Sequence, residues 1–292
     1  MQTHASRPLA VTAHVAASIV PAVLDVIGQR WSLAIIQALL LEDKSFGQLL
    51  RGLHIPRSTL AARLKHLHAM RCLQPASAGY RLTASGQALL PIISLAQAWD
   101  TSSAVVAKEP QPVHCCGQQL KPLLVCRHCA QPVDVRDIQL GSPAERPKLA
   151  DLPKPLRRSR AEFSEGEPLS ATEILGDRWT AMVVALSFYG VQRYSDMAHH
   201  LSMAPNILAD RLQRLCEGGV LQREAQCYRL TERGLQLFPL IVALMAWGDR
   251  WLRIANQAPT SMYHLPCGQL LEAELRCSCC SGQVDLSSIQ SD

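Results

Sequence analysis

Aromatic residues are few in this sequence: Phe, Trp and Tyr together make 5% of 292 residues. A core must then be built from leucine, isoleucine, valine and alanine, a mixture that favours helices. Long hydrophobic runs are also missing. The longest, such as Leu33 to Leu41, fall far short of the ~20 residues that a membrane-spanning helix needs. No basic stretch followed by an apolar segment and a small-residue cleavage site is evident near the N-terminus. The expectation is a cytoplasmic protein without a membrane partner. Enzyme motifs are absent too, with no nucleophile elbow, phosphate-cradling glycine loop or HExxH helix, so no catalytic residue is expected.

Hydrophobic residues make 48% of the chain and charged residues 18%, which excludes wholesale disorder. The length suits two domains. The net charge of +5 and pI near 8.7 permit a nucleic-acid partner without requiring one. Of eleven cysteines, eight cluster as Cys115, Cys116, Cys126, Cys129 and as Cys267, Cys277, Cys279, Cys280. Without a secretory signal, such clusters read as reduced thiols or metal ligands rather than disulfides.

The chain repeats itself. LDVIGQRWSLAIIQALLL (24–41) recurs as TEILGDRWTAMVVALSFY (172–189), an offset of 148 residues. YRLTASG (80–86) recurs as YRLTERG (228–234), and Trp99 pairs with Trp247, at the same offset. Further on, Cys116, Cys126 and Cys129 pair with Cys267, Cys277 and Cys280 at an offset of 151. The match at 148 is ungapped, and a three-residue insertion before the cysteines gives the 151; together they mark a tandem duplication. Between the copies, residues 141–168 carry five prolines and many charges, a linker composition. Its basic run KPLRRSR reads as a solvated stretch or as a phosphate contact.

Within one copy, apolar spacing predicts helices over Ala22–Trp31 and Ser32–Leu41, then a short helix around Phe46, Leu49 and Leu50. GLHIP is a turn, since Pro56 disfavours helix at Ile55. Another helix follows, capped by Ser58 and buried along Leu60, Leu64 and Leu67. CLQPASAGYRLT has the size of a two-stranded hairpin with its turn near Ala76 to Gly79. Thr83 caps a last long helix, Ala84–Ala107, matched by Glu232–Ile254. This order is that of a winged helix-turn-helix. The fold class expected is mainly α with small β-hairpin wings: two tandem winged helix-turn-helix domains, each followed by a small Cys-rich hairpin. The divisions are an N-terminal tail (1–14), a first winged domain (15–110) with its hairpin (111–140), the linker (141–168), and a second winged domain (169–258) with its hairpin (259–292).

The segments IGQRWSLAIIQALL, SFGQLLRGLHIPRSTLAARLKHLHAMRCL and YRLTASGQALLPI resemble the HxlR-type winged-helix transcriptional regulators of bacteria. LGDRWT, APNILADRLQRLCEGGVLQRE and YRLTERGLQLFPLIVALMAWGDRW carry the same resemblance in the second copy. It implies sequence-specific binding of double-stranded DNA and a pairing of winged units. That pairing would be an intramolecular pseudo-dimer or a homodimer, made through the C-terminal helices. Many members carry a thiol sensor shortly before the G-x-[RK]-W segment. Here that position falls on Ser18 and Gly166, neither of them a cysteine.

A recognition helix enters the major groove with its N-terminal residues against base edges. In the first copy this nominates Arg57, Ser58, Thr59, Arg63 and His66 on an outward face with Ala62, and Lys65 beside them. In the second copy it nominates Asn206, Arg211 and Arg214, with Pro205, Ile207 and Asp210 at matching positions. Asn206 reads either as a base contact or as a helix cap. Arg81 and Arg223, together with Arg229, belong to the wings, and Arg193 to the basic residues of the second copy. No acidic residue occurs from Lys44 through Trp99, against seven basic ones; Gln192 to Trp247 has six arginines against five acids. Phosphate neutralisation dominates non-specific affinity, so the first copy is expected to carry most of it.

The cysteine segments read as possible structural zinc sites, grouped copy by copy: His114, Cys116, Cys126 and Cys129, then His264, Cys267, Cys277 and Cys280. The alternatives are a metal-free Cys-rich hairpin or one whose thiols oxidise. The functional expectation is a sequence-specific DNA-binding regulator. The competing one is a protein-interaction or effector-binding scaffold whose second winged domain has lost DNA binding.

Overall fold

The computed structural model describes residues 19–102, 112–141, 169–201, 203–252 and 261–290. The tail 1–14, most of the linker, the positions Ser18 and Gly166, and the far ends of the two C-terminal helices lie outside the described residues.

The first copy runs α1 (Val20–Ile27), α2 (Arg30–Ala38), α3 (Phe46–Leu53), α4 (Arg57–Ala69), β1 (Leu73–Ala76), β2 (Gly79–Leu82), α5 (Ala84–Gln87) and α6 (Leu90–Ser102). Its cysteine segment adds β3 (Val113–His114), β4 (Pro122–Cys126) and β5 (Ile138–Leu140). The second copy repeats the order with α7 (Ala171–Gly176), α8 (Arg178–Phe188), α9 (Tyr194–Leu201), α10 (Pro205–Glu217), β6 (Leu221–Glu224), β7 (Cys227–Leu230), α11 (Glu232–Leu235) and α12 (Phe238–Trp251). β8 (Met262–His264), β9 (Gln269–Leu270), β10 (Ala273–Cys277) and β11 (Ile289–Gln290) end it. The chain is mainly helical with small antiparallel sheets, and each copy has the element order of a winged helix-turn-helix.

The expected leucine stripe is buried: Leu60, Leu64 and Leu67 on α4 match Leu208, Leu212 and Leu215 on α10. Each wing is a two-stranded hairpin, β1 on β2 and β6 on β7. The YRLT-x-x-G motif has a physical basis. The Thr83 and Thr231 hydroxyls accept from the Gly86 and Gly234 amides. A Cβ on Gly86 would lie 2.0 Å from the Cys72 carbonyl oxygen, and one on Gly234 2.2 Å from that of Val220, so only glycine lets helix and strand approach.

Two local expectations are corrected. The long C-terminal helices are each broken near their start, into α5 and α6 and into α11 and α12. Pro91 and Pro239 sit at the second position of α6 and α12, where proline supplies no amide for the preceding turn. Ser58 does not cap α4. Pro56 occupies the N-cap position and Ser58 lies inside the first turn.

The two copies pack on one another about a shared core. α12 meets α1 and α6, and α7 meets α2 and α6. Trp99 Nε1 donates to the Arg233 carbonyl at 2.9 Å, and Trp247 Nε1 to the Ser85 carbonyl at 2.8 Å. Those are the same bond twice, once from each copy. An ion pair between Asp25 and Arg178, 3.3 Å apart, also crosses the interface.

The cysteine segments pair mainly with each other. β4 lies antiparallel to β10, with Leu124 opposite Leu275 and Cys126 opposite Ala273. β11 pairs with β3 through Ile289 and His114, and β5 with β8 through Ile138 and His264. Each segment lends its last strand to the other.

Candidate nucleic-acid interface and cysteine–histidine clusters

The first recognition helix is set by the turn before it. Ser45 and Gln48 form a reciprocal capping box at the start of α3. His54 ends α3 in a left-handed conformation (φ 50°), and the chain re-enters a helix at Arg57. Arg57, Ser58, Ala61, Ala62 and Lys65 are exposed along α4. Thr59, Arg63 and His66 are half-buried. His66 Nε2 donates to the Asp25 carbonyl at 3.0 Å. Burial lowers the basicity of Arg63, whose Nε is buried without a hydrogen-bond partner. The outward face expected from the sequence is therefore rotated. It runs through Arg57, Ser58, Ala61, Ala62 and Lys65, while Arg63 and His66 flank the leucine stripe.

On α10 the exposed residues are Pro205, Asn206, Ala209, Gln213 and Glu217. Ala204 is the N-cap and Pro205 opens the helix, so Asn206 lies past the cap and makes no capping bond. Of its two readings, capping is the one removed. Arg211 turns inward and donates to both Asp177 and Asp210. Arg214 lies 3.0 Å from Asp210, one turn back on the same helix. The first copy has Gln29 and Ala62 at the matching positions, where the second has Asp177 and Asp210.

On the first wing, Arg81 Nε and Nη2 donate to Asp43 at 2.9 and 2.6 Å, and this guanidinium holds the Asp43 carboxyl below its usual range. On the second, Arg223 lies over the Tyr228 ring, 5.9 Å from its centre, and Arg229 sits 3.3 Å from Glu224. Arg193 is exposed beside that wing and bridges Cys227 through its backbone.

All eight nominated metal ligands gather into two clusters, but across the copies. His114 and Cys116 join Cys277 and Cys280; Cys126 and Cys129 join His264 and Cys267. In each cluster the donor atoms lie within 4.8 Å of one another. The copy-by-copy grouping is corrected by strand register. The antiparallel β4–β10 ladder carries each C-x-x-C turn away from its own histidine and toward the other copy's. His114 and His264 are almost wholly buried, as are Cys126 and Cys277. The Gln269 amide and the His264 ring pull the Cys267 thiol down to about 7. Either cluster can hold a metal ion.

The HxlR-like helix-turn-helix family matches residues 26–107 and again residues 174–256, one match per copy and more than half of the chain. The chain belongs to the HxlR-like helix-turn-helix family. Uncharacterized HTH-type transcriptional regulators of Mycobacterium bovis and Mycobacterium tuberculosis are each 35% identical to it over 133 residues, 43% of this chain and 84% of either relative. HTH-type transcriptional regulator YodB of Bacillus subtilis is 27% identical over 90 residues, 28% of this chain and 80% of YodB. This HxlR-like protein is a DNA-binding transcription regulator with two copies of the family domain in one polypeptide. Among the described residues, no helix is long and apolar enough to cross a membrane.

Proposed function

We propose that this regulator grips its operator mainly through the first copy, with the second copy as a built-in pairing partner. The observation that carries this is the contrast between α4 and α10. α4 exposes Arg57 and Lys65, whereas the exposed residues of α10 include no cation and end on Glu217. α4 enters the major groove with Arg57 and Ser58 foremost, where arginine suits guanine and serine either base or phosphate. Asn206 gives α10 a narrower role as a reader of adenine. The C-terminal helices set the separation of α4 and α10, which for a pseudo-two-fold reader should approach one DNA turn, ~34 Å.

A gel shift on the DNA upstream of the chain's own gene, titrated with salt, tests this reading. Retention of that DNA over a scrambled fragment, with a steep salt slope, is the expected result. Equal, weak retention of both fragments would leave a scaffold in its place. For the second copy taken alone the scaffold reading has support of its own, since Arg211 and Arg214 face acids of their own copy.

We read the protein as acting by binding rather than catalysis, in the cytoplasm, with its winged domains at 15–110 and 169–258. Zinc is the occupant we assign to the Cys/His clusters, since three thiolates and an imidazole are soft, closed ligand sets.

A further inference from the structure

We propose that two zinc ions are each held jointly by the two copies, and that this sharing staples the winged units into one fixed arrangement that neither copy builds alone. The proposal rests on zinc as the occupant of the clusters; the sharing comes from the strand register.

The spacing of the donors fits an ion at the centre of each. With Zn–S near 2.3 Å and Zn–N near 2.0–2.1 Å, the edges of a tetrahedron are about 3.8 Å between sulfurs and about 3.5 Å from nitrogen to sulfur. Cys126 and Cys267 sulfurs are 3.9 Å apart. His264 Nδ1 lies 3.3 Å from Cys129 Sγ and 3.5 Å from Cys267 Sγ. In the other cluster, His114 Nδ1 lies 3.5 Å from Cys280 Sγ. All of these thiols are free, so no disulfide accounts for their closeness. Each histidine presents Nδ1 to a C-x-x-C sulfur of the other copy, His264 to Cys129 and His114 to Cys280.

The turns that bear the ligands are duplicated as well. Gly117 and Gly268 have φ of 78° and 68°, while Ala130 and Ser281 both have φ of 58°. The Ala130 amide donates to the Cys126 carbonyl and the Ser281 amide to that of Cys277, each at 2.8 Å. The first member of each pair sits in one copy and its duplicate in the other, yet the turns meet crosswise. Every cluster takes a histidine–cysteine turn from one copy and a C-x-x-C turn from the other. A single copy has both turns but separates them along β4 or β10, which are five residues each and so about 13 Å from first to last Cα. The module does not float free: β4 meets α6, and β10 meets α12. Those are the helices on which the two winged units pair, so metal binding fixes the arrangement of α4 relative to α10.

Zinc content of paired serine variants of the full chain tests the sharing. Wild type is expected to hold about two zinc ions per chain. Cys126→Ser with Cys267→Ser removes ligands of one shared site and leaves about one ion. Cys126→Ser with Cys277→Ser strikes both sites and leaves about none. Loss of both ions from the first pair would overturn the sharing while leaving zinc in place. Less than one ion in wild type would overturn the proposal at its base. Alkylation of the wild-type chain during partial chelation, read by mass spectrometry, keeps the test independent of variant folding. Cys126, Cys129 and Cys267 should lose protection together, and Cys116, Cys277 and Cys280 together. Joint exposure of Cys116, Cys126 and Cys129 would overturn it.

Discussion

Leu124 faces Leu275 at the centre of the ladder between β4 and β10, and each is the other's duplicate, 151 residues apart. A strand that pairs antiparallel with its own copy about a central residue makes the isologous contact of a two-fold dimer. Here both halves belong to one chain. The reciprocal bonds from Trp99 to Arg233 and from Trp247 to Ser85 repeat that symmetry in the helical layer.

Equal sensitivity of the two leucines follows. Leu124 and Leu275 are 3% and 4% exposed. Truncating either to alanine removes buried methyl groups from the same interface and is expected to cost about 2–4 kcal/mol. Because they are register partners, the double variant should fall short of the sum. Urea denaturation of the full chain followed by circular dichroism measures all three. A cost for one leucine several times that for the other would refute the symmetry.

The pair Asp25–Arg178 joins the copies where little water reaches, the side chains being 16% and 10% exposed. Asp25→Ala strands a buried guanidinium and is expected to lower stability by about 3–5 kcal/mol. Replacing both with apolar residues, Asp25→Leu with Arg178→Met, removes the stranded charge and should recover most of that loss. Thermal melts of the two variants distinguish a cross-copy pair from two separate surface charges, for which both variants would melt close to wild type.

Asp100 gives the interface a pH dependence. Its carboxylate accepts from the Ala171 amide at 2.6 Å, at the start of α7 in the other copy, with Arg233 and Glu173 nearby. Burial pushes its pKa up to about 6. The folded value lies above the unfolded one near 3.9, so the contribution of Asp100 is fully present below pH ~4 and lost as pH rises through 6. Asp100→Asn keeps an acceptor oxygen and removes the charge. The variant should match wild type near pH 4 and exceed it at pH 7.5, by on the order of 1–3 kcal/mol. Stability curves that stay parallel from pH 4 to 7.5 would show that Asp100 does not titrate in this range.

Much of the fold was legible because the pattern occurs twice. The stripe of Leu60, Leu64 and Leu67, the turn at Pro56 and the cap at Thr83 are local signals; the 148-residue offset repeats the stripe and the cap, while Ala204 stands opposite Pro56 and the second copy's proline falls one residue later, at Pro205. The helix breaks at Pro91 and Pro239 were local too, written in the prolines that the long apolar stripe obscured. The rotation of α4 was within reach of the same spacing. Positions three and four residues apart share a helix face, so Arg63 borders Leu60 and Leu67. The eight metal-ligand candidates were visible as residue types at knuckle spacing. Their grouping was not, because Cys126 meets Cys267 only through the register of β4 on β10, a long-range choice without a local signature. The inward turn of Arg211 likewise depends on Asp177, 34 residues earlier.

The DNA-binding contrast between the copies reduces to a measurable slope. Affinity falls with log salt by about 0.9 for each phosphate neutralised. Arg57 and Lys65 are exposed on α4, whereas Arg211 and Arg214 are half-buried against acids. Arg57→Ala with Lys65→Ala should flatten the salt slope by up to about 2 and weaken binding to all sequences, with an added loss for the operator if Arg57 reads a guanine. Arg211→Ala should leave the slope near wild type and lower stability instead, since it strips a partner from Asp177, which also caps α8. Asn206→Ala should spare the slope and relax preference at one adenine, at a cost of about 1–3 kcal/mol for that operator alone. Fluorescence anisotropy at four salt concentrations separates these outcomes. If Arg211→Ala with Arg214→Ala flattens the slope as much as Arg57→Ala with Lys65→Ala, the two copies share the DNA evenly and the asymmetry is wrong.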